Sequence, residues 1–82
     1  MRRYTVLLYP EAEGGYSVAI PAFGWLATQG ETVEEALARA KEAIEVATQG
    51  LIEDGEDVPD PDGESLPIVA AVEVPPVEAA VA

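Results

Sequence analysis

The chain has 82 residues, with 16 acidic side chains against 4 basic ones, and neither cysteine nor histidine, for a formal net charge of -12. That length is one domain with a modest core, which gains stability by pairing with a copy of itself or with a partner. The charge repels phosphate backbones and anionic membranes, and the missing residue types remove disulfides, thiolate metal sites and the commonest general base.

Two readings of the acidity stand side by side: attraction of a basic partner by electrostatic steering, or simple solubility. The apolar run at Val6, Leu7 and Leu8 is stopped by Pro10 and Glu11, far too early for a secretion signal. No apolar run approaches membrane-spanning length. A soluble cytoplasmic protein is the expectation.

Residues 2–9, rich in Tyr, Thr, Val and Leu, predict a first strand that Pro10 ends. Glu11, Glu13 and the Gly14-Gly15 pair predict a hairpin turn. Residues 16–20 predict a second strand, with Tyr16, Val18 and Ile20 on one face. Pro21 and Gly24 break it, and residues 25–29 predict a short third strand closed by Gly30.

The period then changes. Thr32-Val33-Glu34-Glu35 has the form of a capping box, with Thr32 accepting from the Glu35 amide and Glu35 reaching back. Val33, Leu37, Ala40, Ile44, Ala47 and Leu51 recur at steps of four and three, which predicts one apolar helical stripe. Glu34, Glu42 and Glu45 fall off that stripe, toward water. The helix is expected to end between Gly50 and Gly55. Residues 53–64 read as an acidic, proline- and glycine-rich loop. Residues 65–74 return to strand composition, with Pro67 near the start and Pro75-Pro76 at the stop. The domain is expected over residues 1–75, with residues 76–82 a disordered tail.

The expected fold class is therefore α+β in the order β-β-β-α-β. Three strands form an antiparallel meander, one helix covers one face of the sheet, and a fourth strand lies parallel to the first through a right-handed crossover. The first strand would sit centrally. Tyr4, Val6 and Leu8 make one apolar face, and Leu7 and Tyr9 make much of the other. One helix covers only one face, so Leu7 and Tyr9 either mark a partner surface or lie beneath the acidic loop or tail.

The run Gly15-Tyr16-Ser17-Val18-Ala19-Ile20-Pro21, then Thr28-Gln29-Gly30-Glu31-Thr32, then Glu34-Glu35-Ala36 resembles the signature of the HicB antitoxin family. Val58-Pro59-Asp60-Pro61 resembles that family's proline pair after the helix. The resemblance spans about residues 1–75. It implies a partial ribonuclease-H-like fold that binds and masks a small basic toxin of the HicA type, which cuts messenger RNA. The family often has Pro-Gly-Cys after the second strand; here Gly24-Trp25-Leu26 puts Trp25 where that glycine would be. Too few residues follow Pro75 for a helix-turn-helix or ribbon-helix-helix, so autorepression by this chain alone is not expected.

Catalysis is not expected either. A ribonuclease H site needs clustered carboxylates for divalent metal, one of them on the first strand, and that strand has none. Read as an EF-hand, Asp62-Gly63 would need acids at positions 58 and 69, where Val58 and Val69 stand. Ser17 and Ser65 have no histidine to activate them. The chain is thus expected to need no cofactor or metal and to bind no nucleic acid directly. The partner-binding candidates are Leu7, Tyr9, Glu11, Glu13 and Trp25. Trp25 and Phe23 are equally open to core packing. The functional expectation is an antitoxin that neutralises a HicA-like toxin by contact and forms a homodimer or larger homo-oligomer. The alternative is a stand-alone oligomerisation or scaffold domain of the same fold.

Overall fold

In the computed structural model, which describes residues 1–77, three strands form one antiparallel sheet in the order β1-β2-β3. They are β1 (Leu7–Pro10), β2 (Tyr16–Ile20) and β3 (Leu26–Gly30), and helix α1 (Val33–Glu53) follows. The first hairpin closes with the Glu11 amide donating to the Gly15 carbonyl at 3.0 Å and the Gly14 amide to the Glu11 carbonyl at 3.0 Å. Leu8 pairs with Val18, and Val18 with Thr28. After β2, Pro21 opens a one-turn 3-10 helix (Pro21–Phe23) that swings the chain into β3.

Helix α1 starts at Thr32, whose Oγ1 accepts from the Glu35 amide at 3.1 Å. The return arm of the cap lands one residue earlier than the capping-box pattern predicts: Glu35 Oε1 accepts from the Glu31 amide at 3.3 Å. The first bond satisfies an N-terminal amide that the helix itself leaves open, and the second ties the residue before the cap to the first turn. The helix ends in a Schellman motif. The Glu56 amide donates to the Leu51 carbonyl at 2.8 Å and the Gly55 amide to the Ile52 carbonyl at 3.1 Å, with Gly55 at φ 70°.

The helix packs on β2 and β3, and the core is Val18 and Ile20 against Ala36 and Ala40. Val6, Leu8, Phe23, Leu26, Ala43 and Ile44 pack around it. The contact stripe is rotated from the expected one, since Val33 and Leu37 remain 47% and 49% exposed. The reason is the closeness of the helix to β3. A Cβ on Gly30 would stand 2.4 Å from the Ala36 amide nitrogen and 2.7 Å from its Cα. With the backbones this close, the small residues Ala36 and Ala40 face the sheet in the first turns while Val33 and Leu37 turn outward.

Two expectations at the ends of the chain are corrected. Residues 2–6 do not join β1, which begins at Leu7. They are held instead by the segment that follows the helix. Tyr4 Oη donates to the Pro59 carbonyl at 2.6 Å, and the Thr5 amide donates to the Asp62 carboxylate at 2.7 Å. The Gly63 amide donates to the Arg3 carbonyl at 2.8 Å. A Cβ on Gly63 would meet the Arg3 backbone carbon at 2.8 Å, so the approach requires glycine.

The second correction is the fourth strand. Among the described residues no strand lies parallel to β1; the sheet has three strands. The turn after Gly63 takes residues 66–77 away from the sheet, and all of them are exposed without regular structure. Of the expected tail, 78–82 lie outside the described residues.

Replacing Gly30 with alanine should destabilise the fold by about 1–3 kcal/mol, the usual cost of overpacking. The melting temperature should fall by roughly 4–8 °C per kcal/mol. Asp62→Ala strips the buried Thr5 amide of its acceptor and should cost about 1–3 kcal/mol. Asp62→Asn keeps an acceptor oxygen and should cost less; equal losses in thermal melts would count against this anchor.

Candidate partner-binding surface

The pleat assigns each strand residue to one of two faces. Val18 and Ile20 lie beneath the helix. The alternate set, Leu7, Tyr9, Ser17, Ala19, Ala27 and Gln29, aligns across the sheet through the pairs Leu7–Ala19–Ala27 and Tyr9–Ser17–Gln29. The single helix occupies the other face, and the post-helix loop is tied to residues 2–5. Tyr9 is accordingly 51% exposed, and neither the loop nor residues 66–77 shelter it.

This bare face contains no charged side chain. Ala19 and Ala27 make its middle shallow, and Tyr9 supplies an aromatic ring at its β1 edge. Carboxylates gather at the hairpin end of the sheet. Glu11 and Glu13 belong to the β1–β2 turn, and the pairing of Tyr16 with Gly30 brings Glu31 to the same end. Glu11 and Glu31 both line a depression of about 160 Å³ there, along with Ser17 and Gln29. An uncharged middle with a charged rim is the usual build of a protein-binding surface, and an acidic rim favours a basic partner.

Of the sequence candidates, Leu7, Tyr9, Glu11 and Glu13 fall together at this end of β1. Trp25 does not join them. It precedes Leu26, which pairs with Ile20, about four strand residues from Gly30, roughly 14 Å away. It is 62% exposed at φ 61°, directly after Gly24, which is also left-handed at φ 66°. A non-glycine residue in that region costs roughly 1–2 kcal/mol. This side chain is therefore held outward in a conformation that glycine adopts more easily. Phe23 instead packs inward, edge-on to Tyr4 with ring centroids 4.9 Å apart.

Sequence reasoning missed Glu31, Ser17, Ala19, Ala27 and Gln29. Strand alternation could have found the last four; Glu31 joins the rim only through the β2–β3 register.

Among the described residues, no group of three or more acids, histidines or cysteines is placed to hold a metal ion. No helix among them is long and apolar enough to cross a membrane.

One helix-covered face and one bare, acid-rimmed face define the class: a small two-layer α+β domain. Residues 4–74 match the family profile described as the HicB-like antitoxin of bacterial toxin-antitoxin systems, and the chain belongs to that family. It is 46% identical over 59 residues to antitoxin HicB 1 of Photorhabdus laumondii, covering 72% of this chain and 38% of that one. Antitoxin HicB of Escherichia coli K12 is 46% identical over the same share of this chain and 43% of its own. The chain thus spans about two fifths of the length of these HicB antitoxins. A UPF0150 protein of Thermoplasma acidophilum is 35% identical over 83% of this chain and 99% of its own length.

Trp25→Gly should leave the melting temperature unchanged or raise it, because it relieves the left-handed backbone while removing little packing. A drop of several degrees in a calorimetric scan would show that the indole carries packing energy.

Proposed function

We propose that this chain is the neutralising module of an antitoxin, and that it masks a small basic, mRNA-cleaving toxin of the HicA type by direct contact. The observation that carries this reading is the bare sheet face, uncharged at Tyr9, Ala19 and Ala27 and rimmed by Glu11, Glu13 and Glu31. The family membership supports it, as does a net charge of -12, which attracts a cationic partner. The same charge opposes direct nucleic-acid binding. In this reading the chain is not an enzyme and needs no cofactor. It acts in the cytoplasm, where the toxin meets messenger RNA, and it associates with itself into a homodimer or larger assembly. Trp25, at the far end of the sheet from the acidic rim, is a second anchor for the toxin.

Ala19→Arg places a cation in the middle of the bare face without touching the core. It should abolish binding to a coexpressed basic toxin and restore growth arrest, while leaving the stability within about 0.5 kcal/mol of the parent, as for other surface changes. Glu11→Lys combined with Glu31→Lys should instead slow association and flatten its salt dependence. A toxin that binds the Ala19→Arg variant normally would exclude the bare face as its docking site.

A further inference from the structure

Residues 66–74 are the most apolar exposed stretch of the described chain. Ile68 is 95% exposed, and Leu66, Val69, Val72 and Val74 are exposed with it. In extended form Leu66, Ile68, Ala70, Val72 and Val74 share one side, an apolar strand face with no cover in its own chain. The segment also makes the molecule long, 63 Å on its major axis, with a radius of gyration of 17.5 Å against about 12 Å for a compact chain of this size. Such a surface marks an interaction site.

The opposite half of the fit lies on β1. Among the described residues it is an edge strand with no strand on its outer side, and an open edge is a template for another strand. Val6 and Leu8 point to the helix side yet stay half-buried, because α1 packs on β2 and β3.

We propose that residues 66–74 of one copy add antiparallel to the free edge of β1 in a second copy, and reciprocally, so that two chains exchange these segments. The inference rests on the self-association read above and gives it a structural form. Facial matching sets the register. With Ile68 opposite Leu8, Ala70 meets Val6 and Val72 meets Tyr4 on the helix side, which extends the core. On the other side Val69 meets Leu7, and Glu73 reaches Arg3. Among the described residues neither Arg2 nor Arg3 has a carboxylate within ion-pair distance.

Charge selects the same pair of surfaces. Residues 1–10 carry two arginines and no acid, and residues 65–72 carry no charge at all. In a chain of net charge -12, this contact brings two copies together without setting acids face to face. It uses the edge of the sheet and leaves the bare face open to the toxin.

The test is the mass of the full chain by light scattering over a wide concentration range, for the parent and for Ile68→Asp and Val72→Asp. The parent should run at twice 8.6 kDa and both variants at the single mass. Thermal melts of the dissociated parent and the variants should coincide, because Ile68 and Val72 are exposed within their own fold. The chain has no cysteine, so Leu8→Cys and Ile68→Cys proteins carry one thiol each. Mixed and oxidised, they should give the mixed disulfide, whereas Leu37→Cys mixed with Ile68→Cys should not. A dimer that survives Ile68→Asp, or one without the 8–68 crosslink, overturns the exchange while self-association stands. A monomer at every concentration overturns both. Toxin binding by Ile68→Asp reports on the antitoxin reading separately and should be retained.

Discussion

The closeness of the helix to β3 is the constraint on which the rest of this structure depends. At Gly30 the strand lies so near the first turns of α1 that a single methyl would overlap the Ala36 backbone. That contact fixes the helix over β2 and β3, selects Ala36 and Ala40 for the core, and turns Val33 and Leu37 outward. It also lets the Thr32 and Glu35 cap form at the end of β3, where Glu31 is drawn into the hydrogen bonding. Because α1 is committed to this side, the other face of the sheet stays bare among the described residues.

A second constraint acts where the helix ends. The Schellman motif turns the chain back, and the Thr5–Asp62 and Arg3–Gly63 contacts dock the acidic loop onto the N-terminal segment. These bonds occupy residues 3 and 5 with a loop and not with a strand. The apolar segment that follows leads away from the sheet and stays exposed. A small domain with a core of four buried apolar residues thereby retains unused apolar surface in its own chain, which is the usual physical reason for association.

The charge distribution separates two kinds of surface. Acids crowd the hairpin end, the outer side of α1 and the post-helix loop, while the bare face, the N-terminal segment and residues 65–72 are free of them. The acid-rimmed face and the acid-free β1 edge are thus separate surfaces of one sheet.

Local signals in the sequence determined the hairpin, the span of β2, the N-cap at Thr32, the extent of α1 and the exclusion of histidine- or cysteine-based chemistry, because each depends on near neighbours or on residue type alone. The ordered motifs between Gly15 and Ala36 carried the resemblance that the family match bears out. The periodicity misplaced the buried stripe, because hydropathy weighs bulk and the Gly30 contact demands smallness. It also put residues 65–74 into the sheet, since strand composition says that a segment suits a ladder, not which ladder it reaches. Leu7, Tyr9, Glu11 and Glu13 were legible as surface candidates from alternation and turn position. Only the tertiary structure gathered them with Ala19, Ala27 and Glu31 and set Trp25 apart at the other end, because strand register is a long-range property that no local pattern contains. The sequence by itself therefore determined the hairpin, β2, β3 and helix α1, because each rests on near neighbours, and the three-dimensional packing decided where β1 begins, that residues 65–74 do not join the sheet, and which face is bare.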